Sequence, residues 1–237
     1  MFEPTFNLSD LNGSNGFAIN GIAADDNSGS SVSSAGDVNG DGFEDLIIAA
    51  KYADPNGIFS AGQSYVVFGS NSGFGAGLNL STLNGSNGFA LNGIAANHFS
   101  GSSVSSAGDV NGDGIDDLII GATSADPNGI TNAGQSYVVF GSNSGFGAGL
   151  SLSTLNGSNG FAINGIAANH FSGYSVSSAG DVNGDGFDDL ITATRSASPN
   201  GITNAGQSYV VFGSNSGFGA GLNLSTLNGS NGFAING

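Results

Sequence analysis

The chain has no cysteine and no tryptophan, and only two basic residues, Lys51 and Arg195, in 237 positions. Without cysteine there is no disulfide framework, no thiolate metal site and no cysteine nucleophile. Without more lysine and arginine, little could displace the counterions of a polyphosphate, and 18 acidic residues set the net charge at -16. Nucleic acid and anionic membranes are therefore poor partners. No apolar run approaches the roughly 18 residues of a membrane span, so no membrane insertion is expected, and Met1 to Asp10 lack the charged and apolar regions of a signal peptide. With two histidines, His98 and His170, and no nucleophile elbow, acid-base or nucleophilic catalysis is hard to assemble. The chain reads as a non-enzyme.

What is abundant is glycine, at 43 residues, together with 38% hydrophobic residues in regular runs that can build a core. The segment Leu-Asn-Gly-Ser-Asn-Gly-Phe begins at Leu11, Leu83, Leu155 and Leu227, a period of 72 residues. Positions 83–154 and 155–226 differ at nine places. The sequence divides into repeats at 11–82, 83–154 and 155–226 with a partial repeat at 227–237, and 217–237 repeats most of 1–21, a 21-residue overhang. We treat 1–237 as a single repeat domain.

No run in the repeat suits a helix. Starting in the second copy, Ser102 to Val110, Asp117 to Ala122, Gln135 to Phe140 and Phe161 to Asn164 suit strands, separated by Gly, Asn, Ser and Pro clusters. Four strands per unit predict an all-β fold of β-propeller blades, each of four antiparallel strands. The small residues of Ser-Ser-Val-Ser-Ser-Ala-Gly suit a crowded strand near a propeller axis, and Ser-Tyr-Val-Val-Phe suits packing between blades. Closed propellers have about 4 to 8 blades, so three units imply a fragment or a ring completed by further chains. A homo-oligomer is expected.

The strongest chemical signal is D-x-N-x-D-G-x-x-D, at Asp37, Asn39, Asp41, Gly42, Asp45, at Asp109, Asn111, Asp113, Gly114, Asp117 and at Asp181, Asn183, Asp185, Gly186, Asp189. Calcium takes six to eight oxygens at about 2.3 to 2.6 Å, and alternate residues of a tight loop can aim oxygens at one point. Positions one, three and five would supply side-chain oxygens, and glycine at six would permit the turn. Position seven (Phe43, Ile115 or Phe187) would give its backbone carbonyl while its side chain enters the core. Aspartate at nine would close the cage. The acids at position eight, Glu44, Asp116 and Asp188, should face away, as neighbours in an extended stretch do.

This predicts three Ca2+ sites, one per repeat. An EF-hand is excluded because position twelve holds Ile48, Ile120 or Thr192. Zinc lacks Cys and His ligands, and magnesium demands a stricter octahedron. The alternative is an acidic turn that hydrogen-bonds its own backbone.

The stretch from Phe99 to Thr123, which contains the complete loop, resembles an FG-GAP repeat, the blade unit of integrin α-subunit propellers and of many bacterial surface proteins. The resemblance implies a propeller with calcium between the first two strands of each blade, an extracellular or cell-surface setting, and adhesion or protein recognition. The final Gly-Ala-Pro of that pattern is replaced by Gly121-Ala122-Thr123, Ala49-Ala50-Lys51 and Ala193-Thr194-Arg195, and Asn27 stands where the leading Phe is expected. Two other functions fit the composition: a self-assembling structural protein, and a lectin, the latter weakened by the missing tryptophan. Gly73 to Gly77 reads as a glycine-rich connector, His98 and His170 as exposed loop residues, and Lys51 and Arg195 as a shared cationic position.

Overall fold

The computed structural model describes residues 5–237, and among these the chain is all-β, with only three-residue 3-10 turns besides its strands. A short first strand, β1 (Ala18–Asn20), is followed by β2 (Ser31–Gly36), β3 (Asp45–Ala50), β4 (Gln63–Val67) and β5 (Gly77–Asn79). The next period supplies β6 (Gly88–Asn92), β7 (Ser100–Gly108), β8 (Asp117–Ala122), β9 (Gln135–Val139) and β10 (Gly149–Ser151). The third supplies β11 (Gly160–Asn164), β12 (Ser175–Gly180), β13 (Asp189–Thr194), β14 (Gln207–Val211) and β15 (Gly221–Asn223), and β16 (Gly232–Asn236) ends the series.

Each unit is a meander of three antiparallel strands completed by a fourth from the next repeat, giving β2-β3-β4-β6, β7-β8-β9-β11 and β12-β13-β14-β16. The Ser-Tyr-Val-Val runs form the third strand of each unit, where β-branched and aromatic residues suit burial on both faces. The predicted strand at Asp117 to Ala122 is found with those bounds, while Ser102 to Val110 is shifted to Ser100–Gly108.

One expectation is corrected. The first two units have a fifth strand, not four: β10 runs parallel to β6, and β15 to β11, while β1 and β5 pair alone in a two-stranded sheet. These added strands lie at the end of the segment read as a connector. A residue such as Leu150 becomes a strand residue because an edge is presented to it.

The core lies between units. One cluster joins Ile47, Val66, Phe89 and Leu91 of the first sheet to Val104, Leu118, Ile120 and Val139 of the second. A second joins Ile119, Val138, Phe161 and Ile163 to Val176, Leu190 and Val211 of the third. The small-residue strand β7 packs against both β2 and β12, which places the three first strands side by side. Among the described residues the three units stand in this open series and do not close into a ring.

Candidate metal centre

Each candidate loop leaves the first strand of its unit at a register shift and re-enters the sheet at the aspartate of position nine. In the first loop, Asp37 Oδ1 accepts from the Asp41 N–H at 3.0 Å and Oδ2 from the Gly42 N–H at 2.8 Å. Asn39 Oδ1 accepts from Asp41 N–H at 2.9 Å, and Asp41 Oδ1 from Phe43 N–H at 2.9 Å. Asn39 Nδ2 donates to Asp41 Oδ2 at 3.0 Å. The second and third loops repeat this pattern on Asp109, Asn111 and Asp113 and on Asp181, Asn183 and Asp185. Gly42, Gly114 and Gly186 take φ of 88°, 84° and 93°, a left-handed turn that an L side chain would strain.

Position nine sits behind this turn. Asp45, Asp117 and Asp189 are fully buried, and each anchors two strands of loop. Asp45 Oδ2 accepts from Val38 N–H at 3.1 Å and Oδ1 from Gly69 N–H at 2.8 Å; Asp117 does the same with Val110 and Gly141, and Asp189 with Val182 and Gly213.

Burial, reinforced by the charges of Asp41 and Asp37 and opposed by the two N–H donors, pushes the Asp45 carboxyl up to about 6. Asp117, in the unit flanked on both sides, is pushed up to about 8 by the same causes, and Asp189 is also raised. Asp181, fully exposed and surrounded by backbone N–H groups, is held below the ordinary carboxylate range.

The donor set is entirely oxygen: three carboxylates, one amide and the carbonyl of position seven in each loop. That suits a hard divalent cation. A cation would also answer the two effects that raise the position-nine carboxyls, burial of a charge and repulsion from its neighbours. As folded, however, the oxygens pair with N–H groups of their own loop, and no group of three acidic or histidine side chains converges at metal-holding distance among the described residues. Hydrogen bonds link positions one, three and five, and position nine shares none of these bonds although the charges of positions one and five act on it.

One expectation about the side chains of the loops is corrected. The position-seven side chains do not enter the core: Phe43 is 39% exposed, and Ile115 and Phe187 are half-buried. They lie on the neighbouring unit, Ile115 over Gly40 and Phe187 over Gly112, whereas Phe43 meets no such unit among the described residues and is left bare.

The position-eight acids do turn out of their own loops, and they acquire a partner that sequence reasoning missed. Asp116 Oδ2 accepts from the Asp37 N–H at 2.8 Å, and Asp188 Oδ2 from the Asp109 N–H at 2.9 Å. Each carboxylate thus clasps the preceding unit's loop. Among the described residues Glu44 meets no preceding loop and accepts only from Ser34 Oγ, at 3.3 Å.

His98 and His170 are half-buried, not exposed, and burial lowers the His98 imidazole against the opposing charge of Asp126. Lys51 and Arg195 line one groove with Thr123, of about 560 Å³, each cation set over a tyrosine ring, Tyr52 at 5.1 Å and Tyr174 at 4.6 Å.

Compared with known protein families, the chain matches the FG-GAP repeat at residues 28–67, 100–139 and 172–211, together just over half of its length. Each matched segment begins near the first strand and ends with the third, so it contains one complete candidate loop. Among curated proteins none matches the chain.

Proposed function

Because the chain belongs to the FG-GAP repeat family, we propose that it is a calcium-stapled recognition module of the cell exterior, built as part of a β-propeller, that binds a protein partner and catalyses nothing. One calcium per unit would be held by Asp37, Asn39, Asp41, Asp45 and the Phe43 carbonyl, by Asp109, Asn111, Asp113, Asp117 and the Ile115 carbonyl, and by Asp181, Asn183, Asp185, Asp189 and the Phe187 carbonyl. The ion would supply positive charge where the folded chain gathers carboxylates, and it would tie the first strand of a unit to the second.

The observation that carries this reading is the buried aspartate at position nine. Three times over, a carboxylate is fully buried beside two others of its own loop, an arrangement that disfavours its charged form. A turn needing only hydrogen bonds has no use for that repulsion. A staple also suits recognition better than sensing, since the loop N–H groups already hold the turn in shape before an ion enters. A lectin is disfavoured because Tyr65, Tyr137 and Tyr209 are buried, and the exposed rings of Tyr52 and Tyr174 are already covered by Lys51 and Arg195. The test is thermal unfolding in calcium and in chelator: calcium bound only by the folded chain must raise the melting temperature, and a melting temperature indifferent to chelator would sink the reading.

A further inference from the structure

The seam between units is built twice inside the chain with the same parts, and its two halves are left open at opposite ends. At the seam, the position-eight carboxylate accepts from the preceding loop's position-one N–H, and the return bond runs from Asp116 N–H to Asp37 O at 3.3 Å and from Asp188 N–H to Asp109 O at 3.1 Å. Further along, Ser142 N–H donates to Val38 O at 2.9 Å and Ser214 N–H to Val110 O at 2.8 Å. The carboxylates of Asp116 and Asp188 sit where a side chain on Gly36 or Gly108 would project.

Apolar residues fill the rest of the seam. From the following unit come Val104 and Leu118, or Val176 and Leu190, all 7% exposed or less. From the preceding unit come Val38, Phe89 and Leu91, or Val110, Phe161 and Ile163, all at 0%.

Among the described residues the first unit carries the following half with nothing to meet it. Val32 is 64% exposed and Leu46 36%, where their counterparts are buried, and Glu44 takes the clasp position. The third unit carries the preceding half: Val182 is 53% exposed, Phe233 41% and Ile235 47%, and the space over Gly180 is empty.

We infer that these two faces are the halves of a head-to-tail contact between copies of this chain, the Val32, Glu44 and Leu46 face of one copy seating on the Val182, Phe233 and Ile235 face of the next. The contact is heterologous, so it leaves one free half at each end unless the chain of copies closes into a ring. Two copies supply six units, within the range of closed propellers.

The strands at the two ends make the inference more specific. Pairs of the form Ala162 with Gly221 and Ile163 with Leu222 join a unit's fourth strand to the next repeat's short strand, and β1 pairs with β5 in that register through Ala18 and Ile19. β16 carries the same residues, Ala234, Ile235 and Asn236, and its outer edge is unpaired. Among the described residues β1 has no strand partner but β5, with Ile19 packed on the first unit's core and Phe17 stacked on Phe74, whereas β16 is fixed along five residues of β14. On docking, β16 of one copy takes the edge of β5 in the partner and displaces that copy's β1, which exchanges the three-residue pairing, the Ile19 contact and the Phe17 stack on Phe74 for those of Ile235 and Phe233, in the manner of Phe89 on Phe146 and Phe161 on Phe218, and adds the seam. The inference goes beyond the recognition reading and does not depend on calcium.

The test is the mass of the 237-residue chain by light scattering over a range of concentrations, in calcium and in chelator, with Val32→Asp, Ile235→Asp and their equimolar mixture. The wild type should give at least twice 23.1 kDa, and each variant, with one half blocked, the mass of one chain. The mixture should regain a two-chain species, because each variant keeps the half that the other lacks. Circular dichroism and a cooperative melt confirm that the variants fold, and Leu46→Asp and Phe233→Asp replace either that does not. A wild-type mass of one chain at every concentration, variants that associate like the wild type, or a mixture that stays single would each overturn the inference. Loss of the calcium-dependent melting shift with association intact would instead count against the metal reading alone.

Discussion

Raising the pH from 5 to 8 should weaken the metal-free chain and strengthen its response to calcium, because both effects run through the same buried carboxylates. Asp45, Asp117 and Asp189 have folded-state values above the ordinary carboxylate value of 3.8, about 6 for the first and about 8 for the second. A group raised on folding favours the folded chain fully below its unfolded value, and that contribution is lost as the pH climbs through the folded one. Exposed carboxylates are already ionised at pH 5, so across the window from 5 to 8 these three act together, opposed by His98, whose imidazole is lowered on folding and so favours the fold as the pH rises.

Calcium requires the ionised form and competes with the proton. With a dissociation constant on the order of 10⁻⁴ to 10⁻³ M, as in extracellular modules, calcium at about 10 mM adds about 1.4 to 2.7 kcal/mol per loop. Three loops then contribute about 4 to 8 kcal/mol, or roughly 10 to 30 °C in melting temperature for a chain of this size. Differential scanning calorimetry at pH 5, 6.5 and 8, in chelator and in calcium, reads both trends. The chelated melting temperature should fall along the series and the calcium shift should widen. A shift as large at pH 5 as at pH 8, or a chelated chain that gains stability with pH, would refute the reasoning.

Other outcomes follow from the seam. Asp116→Ala removes a charged acceptor and leaves the Asp37 N–H without its partner, so it should cost about 1.5 to 3 kcal/mol in denaturant unfolding; a change within about 0.5 kcal/mol would show the clasp to be idle. Leu118→Ala, at 1% exposure between two units, should cost about 2 to 5 kcal/mol, whereas Leu46→Ala at the same repeat position should cost far less in a sample dilute enough to be monomeric. Equal costs for the two leucines would mean that the units do not pack as described.

Much of the fold can be read from residue pattern because the repeat is made of local signals. Asp117 to Ala122 is bounded by a loop motif and a turn, and its strand ends fall where those signals place them. β10 carried no such signal: Gly149 and Leu150 become a strand only because β6 offers an edge, which is a tertiary fact. The candidate loops were legible for the same reason as the strands, since Asp37 to Asp45 form one contiguous segment. What position seven touches was not, because Ile115 and Phe187 look alike whether they face their own core or the unit beside them. The clasp of Asp116 on Asp37 joins residues 79 positions apart, and no spacing within one repeat announces it. Half-burial of His98, with Asp126 near enough to act on its imidazole, is likewise not written in its own segment.

The central claim is that each loop holds one calcium, and counting the ions tests it most directly. Isothermal titration calorimetry of the 237-residue chain at pH 8 should give three ions per chain, falling to two with Asp113→Asn and to one with Asp113→Asn and Asp185→Asn together. A stoichiometry of zero, or one that these substitutions leave at three, would contradict the account.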